Sequence, residues 1–313
     1  MTETIGGLVS RGKAQLGDIS ETPQLDSYLL IGEVLARPRA WLIAHAEEAV
    51  CRVDQVQIQT LLDRRQSGEP VAYIRGYQSF WQRDFYVTRD TLIPRPDTEL
   101  LMEIVLARFD EQPINVVDLG TGTGALAVSL AAERPDWQIL GTDISKRTLA
   151  IARENAGTLA NVKFLASSWF TNIEGQFDLI ISNPPYIRNT DPHLRALKFE
   201  PALALTAGDD GLDCIIISNP PYIRNTDPHL RALKFEPALA LTAGDDGLDC
   251  IRQIVKNCPK YLVPGGYFLF EHGYDQQERV IQLVVNAGLT EVQGFSDLQG
   301  QPRAVMARSH ELE

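Results

Sequence analysis

From residue 114 onward the chain alternates between two hydrophobic textures. Short, nearly unbroken apolar runs, "INVVDLG", "WQILGTD", "VKFLASS", "FDLIISN" and "YFLFEHG", read as strands buried on both faces. Between and after them lie "ALAVSLAAERP", "SKRTLAIARENAG", "CIRQIVKNCPKYLVPGG" and "DQQERVIQLVVNAG", which read as helices. Strands alternating with helices predict an α/β fold, a doubly wound, Rossmann-like parallel sheet. Two last segments, "TEVQGFSD" and "RAVMARS", predict an antiparallel strand pair at its end. Ligands of such sheets bind past the carboxyl ends of the strands, near the point where the strand order reverses.

The first 75 residues have a different texture, without strand signals. "TPQLDSYLLIGEVLA" opens on Thr22 before Pro23, a cap followed by a proline that suits the first helical turn. "RAWLIAHAEEAV" and "VDQVQIQTLLDRRQSG" continue the helical pattern, and the second stops at Gly68. Residues 1–75 are therefore expected to form a small helical domain. "VAYIRGYQSFWQRDFYVTRDTLIPRPDTE" is rich in aromatic and β-branched residues with turn residues between, which predicts a β-hairpin. The hairpin makes residues 76–95 a linker, and residues 96–313 the α/β domain. "IPRPDTELLMEIVLARF" opens the latter with a helix whose start two prolines fix.

One segment is written twice. Residues 180–215 recur letter for letter as residues 216–251, a tandem copy of 36 residues. Solenoids need at least three units, so two identical copies read as an in-frame duplication. Removing one leaves a coherent two-domain chain.

Charge narrows the partners. Of 313 residues, 41 are acidic and 29 are Lys or Arg, a formal net charge of −12. That balance disfavours binding nucleic acid by broad phosphate neutralisation. No run approaches ~18 consecutive apolar residues, so no membrane span is expected. The start of the chain does not read as a secretory signal. Cys51, Cys214, Cys250 and Cys258 form no CxxC pair and no zinc-ligand spacing, which points to reduced thiols in the cytoplasm and no metal.

Two motifs carry chemistry. "VVDLGTGTGALAV" sets Gly120, Gly122 and Gly124 between a strand and a helix, where glycines allow close approach to a ligand. Asp143, 19 residues after Gly124, ends the next strand, where a carboxylate takes the two hydroxyls of a ribose. The loop also satisfies a loose G-x-G-x-x-A, so a nicotinamide dinucleotide competes with S-adenosylmethionine. Asp118, just before the loop, favours the latter, because it suits an ammonium group and repels a pyrophosphate. The second motif, Asn183-Pro184-Pro185-Tyr186, follows "FDLIIS" at a carboxyl strand end. An amide nitrogen is a poor nucleophile because its lone pair is delocalised. An Asn oxygen and a backbone carbonyl can accept its protons while the lone pair faces the methyl donor. Prolines fix the direction of that carbonyl, and a Tyr ring packs against a planar acceptor. The gain is positioning and charge stabilisation.

With "GEPVAYIRGYQSFW", "LIPRPDTELL", "FEPALAL" and "LFEHG" added, the chain resembles the HemK/PrmC-type glutamine-N5 methyltransferases of peptide chain release factors. The resemblance covers nearly the whole chain outside the repeat. It implies a class I methyltransferase domain behind a helical domain that grips the release factor. The implied substrate is the glutamine of a Gly-Gly-Gln loop in bacterial class 1 release factors, and the implied enzyme is a cytoplasmic monomer. Asp118, Gly120, Thr121, Gly122, Thr123, Gly124, Asp143, Trp169 and Asn183 are implied to bind S-adenosylmethionine, with Trp169 flanking the adenine. Asn183 and the Pro184 carbonyl would hold the glutamine amide, with Pro185 beside them and Tyr186 packed against it. "LIPRPDTELL" would close over the methionine end of the cofactor. The family often has an acid where this chain has Ser168, which removes a hydrogen bond to the adenine amine. His272 in "EHG" is expected to be structural.

The alternatives are a nucleic-acid N-methyltransferase acting on adenine N6 or guanine N2, which shares "NPPY", and a non-catalytic binder whose acceptor site the duplication blocks. Of the two copies, the first has the strand lead-in "GQFDLII" and the second the helical exit "GLDCIRQIVKNCPKYL". Asn183, in the first copy, is therefore expected to act rather than Asn219.

Overall fold

The structure, a computed structural model, describes residues 3–185 and 246–311. Tyr186, Asn219, Cys214 and most of both repeat copies lie outside the described residues. Of the duplicated segment it describes residues 180–185 of the first copy and 246–251 of the second.

The chain divides into two units, with the break after Tyr77. The first is helical: α1 (Ile5–Leu16), α2 (Pro23–Leu35), α3 (Arg39–Ala44), α4 (Arg52–Gln66) and α5 (Val71–Arg75). Thr4 caps α1 by accepting a hydrogen bond from the Gly7 N–H at 3.2 Å, and Pro23 opens α2. Leu8, Leu16, Leu30, Ile31, Leu42, Ile58 and Leu62 form the fully buried centre. An ion pair, Arg65 to Asp26 at 2.7 Å, is buried beside them, and Ser20 donates to the same carboxylate. Two expectations are corrected here. "RAWLIAHAEEAV" is helical only to Ala44, because its second half spends its backbone groups on the start of the chain. Ile5 N–H donates to Glu48, and Val50 N–H to Glu3. "VAYIR" is a helix, not part of the hairpin; Pro70 precedes it and Gly76, at φ +82°, ends it. The hairpin is limited to β1 (Tyr77–Phe80) and β2 (Arg83–Tyr86).

The second unit is the predicted α/β sheet. A 3₁₀ turn (Pro96–Thr98) leads into α6 (Glu99–Arg108). There follow β3 (Asn115–Leu119), α7 (Ala125–Glu133), β4 (Gln138–Asp143), α8 (Lys146–Ala156), β5 (Val162–Ala166) and β6 (Phe177–Ser182). The C-terminal part holds α9 (Asp249–Asn257), β7 (Leu262–Glu271), α10 (Gln277–Asn286), β8 (Thr290–Ser296) and β9 (Pro302–Arg308). The seven strands run β5-β4-β3-β6-β7-β9-β8, parallel from β5 to β7 and antiparallel for the last two pairings. Val116, Val117, Leu179, Ile180 and Ile181 have no exposed surface, as strands covered on both faces require. A third correction concerns "CIRQIVKNCPKYLVPGG". Pro259 lies in a 3₁₀ turn that ends the helix, and residues from Leu262 already belong to β7.

The order reverses between β3 and β6. From β3 the chain crosses to β4 and then β5, whereas β6 lies on the other side and leads to β7. The crevice at the carboxyl ends of β3 and β6 is the ligand position this topology provides.

Candidate functional site

The glycine loop begins where β3 ends. Gly120, Gly122 and Gly124 have φ of +75°, +56° and +82°, a region side chains rarely adopt. The loop is pinned to β4: the Gly120 and Thr121 N–H groups both donate to the Thr142 carbonyl, at 2.9 and 2.7 Å. Beneath it lies Asp118, 1 % exposed. Thr121 Oγ1 donates to Asp118 Oδ2 at 2.7 Å, whereas the buried Oδ1 has no hydrogen-bond partner. Burial pushes the Asp118 carboxyl up to about 7, against the pull of the Thr121 hydrogen bond. A cationic ligand group would restore its charge, and a pyrophosphate would not. This favours the ammonium-bearing cofactor over a dinucleotide.

Asp143 closes β4 and is fully buried. Its Oδ1 accepts from the Ser145 N–H at 2.9 Å and its Oδ2 from the Gly122 N–H at 3.2 Å. Burial raises this carboxyl too, to about 7, and the nearby charge of Asp118 adds to the effect. Each oxygen keeps lone-pair capacity for a ribose hydroxyl. Beyond Asp143 the chain of β5 continues into Ser167, whose N–H donates to the Asp143 carbonyl at 3.0 Å. Trp169 follows with φ +48°, its backbone carbonyl held by Ser167 Oγ at 2.8 Å and its buried Nε1 without a partner.

Asn183 follows β6 and is 4 % exposed, with Pro184 and Pro185 buried behind it. Its Nδ2 donates to Thr98 Oγ1 at 2.8 Å, and its buried Oδ1 has no partner. A small cavity joins Asn183 to the glycine loop. Asp118, Gly120, Thr121 and Thr123 line it on one side, and Leu92, Pro94, Arg95 and Thr98 on the other. Residues of the "LIPRPDTELL" segment thus face the glycine loop across this cavity. Gly122, Asp143 and Trp169 do not line this cavity; Gly122 is bonded to Asp143 at the end of β4, and Trp169 is buried just after β5. His272 is buried and makes a hydrogen bond from its ring to the Gly273 carbonyl, and burial lowers its pKa. That suits a structural residue.

Three residues that the sequence did not single out complete the surroundings. Thr98 and Glu271 connect to Asn183. Arg303, buried on β9, pairs with Asp297 at 2.8 Å and with Asp97 of the covering segment at 3.5 Å. The signal for the first two was present as "PRPDTE" and "LFEHG", but nothing in the sequence showed that they meet.

Residues 8–76 match the PrmC N-terminal domain, and residues 96–200 match the Methyltransferase small domain. The chain is 38% identical over 297 residues to the release factor glutamine methyltransferase of Escherichia coli (strain K12), covering 93% of this chain and 94% of that one. It is 39% identical over 300 residues to the release factor glutamine methyltransferase of Pseudomonas aeruginosa, covering 94% and 95%. A solved methyltransferase from Pyrococcus furiosus aligns with a TM-score of 0.49 at 13% identity, over 80% of this chain and 99% of that one.

Proposed function

The chain belongs to the release factor glutamine methyltransferases, and from that premise we propose that it methylates the side-chain amide nitrogen of the Gly-Gly-Gln glutamine in class 1 release factors. The observation that carries this is Asn183 Oδ1, a buried acceptor without a partner, at the carboxyl end of β6 and beside the glycine loop. S-adenosylmethionine, when bound, supplies a methyl group on a sulfonium. The donor set fits it: the open Asp118 oxygen suits an ammonium, Asp143 suits the ribose, and Trp169 suits the adenine.

The chemistry asked of the protein is modest. Asn183 Oδ1 and the Pro184 carbonyl accept the two protons of the glutamine amide and hold its plane, which leaves the nitrogen lone pair aimed at the donor side. As the nitrogen becomes cationic, the same two acceptors bind it more strongly, so they favour the transition state over the ground state. No strong base is needed, since the product can lose its proton afterwards. The covering "IPRPDTE" segment excludes water from this end of the crevice.

The helical unit grips the release factor, and the acidic balance supports a protein acceptor rather than DNA or RNA. No helix among the described residues is long and apolar enough to cross a membrane, and Cys51, Cys250 and Cys258 are in no disulfide. Cysteines kept out of disulfides suit action in a reducing compartment, the cytoplasm. The test is radiolabelled methyl transfer to a release factor, to DNA and to ribosomal RNA in parallel, with the methylated peptide sequenced by mass spectrometry. The label is expected on the Gly-Gly-Gln glutamine alone. Label on nucleic acid, or on another residue of the release factor, would overturn the assignment.

A further inference from the structure

A side-chain amide has two ends that differ only in which atom is oxygen, and the acceptor role of Asn183 depends on which end faces the substrate. We infer that Thr98 and Glu271 form a positioning pair that fixes the Asn183 amide with its oxygen turned to the acceptor site. The inference rests on the reading that Asn183 Oδ1 accepts from the glutamine amide.

Hydrogen-bond direction decides which end of the amide faces the substrate. Thr98 Oγ1 donates to Glu271 Oε2 at 2.9 Å, which commits the single hydroxyl proton there. The hydroxyl oxygen is then left only to accept, and the Asn183 amide end 2.8 Å away must be the NH₂. Its oxygen faces the other way, buried and without a partner in the protein. The reversed amide would set oxygen against oxygen at Thr98. It would also present N–H groups to a substrate amide that itself offers N–H groups. All three side chains are buried, Thr98 at 6 %, Asn183 at 4 % and Glu271 at 0 % exposed, so water does not compete for these bonds. The sheet supplies the meeting point. Ser182 of β6 is paired with Phe270 of β7, which brings the next residues, Asn183 and Glu271, level at the strand ends. The turn before α6 then places Thr98 between them.

Thr98→Val removes the hydroxyl at constant shape, and Thr98→Ser restores it. On a release factor, Thr98→Val is expected to lower kcat about tenfold or more, and Thr98→Ser to stay within about threefold of wild type. Calorimetry should show S-adenosylmethionine affinity within about threefold of wild type in both, which separates orientation of the amide from damage to the pocket. Wild-type kcat in Thr98→Val, or a Thr98→Ser variant as slow as Thr98→Val, overturns the pair. If Thr98→Val fails to fold, Glu271→Asp keeps the carboxyl group but withdraws it by one methylene. It carries the same expected loss, and wild-type kcat in it overturns the pair equally. Asn183→Ala, measured alongside, separates the two levels. Full activity there defeats the acceptor reading itself. Loss there together with wild-type kcat in Thr98→Val defeats only the positioning pair.

Discussion

Asp118 and Asp143 are carboxylates held in a dry interior, and both titrate near 7 in the folded chain instead of near 4. The sign follows from linkage. A group whose pKa is raised by folding contributes stability that is full below its unfolded value and lost as pH climbs through its folded value. The ligand-free protein therefore loses this contribution between about pH 4 and 7. Asp118→Asn removes one of the two titrations. Its unfolding free energy is expected to fall less than that of wild type between pH 5 and 8 in urea melts, while its affinity for S-adenosylmethionine drops. Parallel pH profiles would contradict a buried, cation-seeking Asp118. These residues were legible because each ends a buried apolar run, so the strand pattern alone sets them on the crevice. Thr98 and Glu271 were not, since the contacts that define them span 85 and 173 residues of sequence.

Among the elements, strands buried on both faces were the easiest to read, because no polar alternation blurs a run such as "FDLII". The misread segments share a cause. "VAYIR" is short, apolar and β-branched, and periodicity cannot separate a single helical turn from a strand at that length. "LVPGG" contains the residues that usually mark a loop, yet β7 runs through it, and Gly265 takes φ +76° there. The closing β8–β9 pair was legible as strands, but its tie to the covering segment was not, because Arg303 reaches Asp97 only in the folded sheet. Arg303 is 4 % exposed and also holds Asp297, so Arg303→Met leaves a shielded carboxylate without its cation. The expected loss is about 3–5 kcal/mol of unfolding free energy in urea titrations. A loss below about 1 kcal/mol would mean the pair does not organise the hairpin.

At the scale of the whole molecule the duplication sets the question. The α/β order, the helical first unit and the family were all within reach of the sequence, because the duplicated segment repeats a motif without altering the elements on either side. The segment itself makes the register degenerate, and only its flanks differ. Among the described residues, β6 starts in unique sequence at Phe177 and ends in the first copy, and α9 starts in the second copy and continues into unique sequence. Asp178 is part of that distinction: its Oδ2 accepts from the Asn115 N–H at 2.8 Å, a bond that ties β6 to the start of β3. If the acceptor site is built from Asn183, methyl transfer to a release factor by Asn183→Ala and Asn219→Ala separates the two copies. Asn183→Ala is expected to lose about 10²-fold or more in kcat, the scale of a lost transition-state hydrogen bond, and Asn219→Ala to keep the wild-type rate. Wild-type transfer by Asn183→Ala would contradict that assignment.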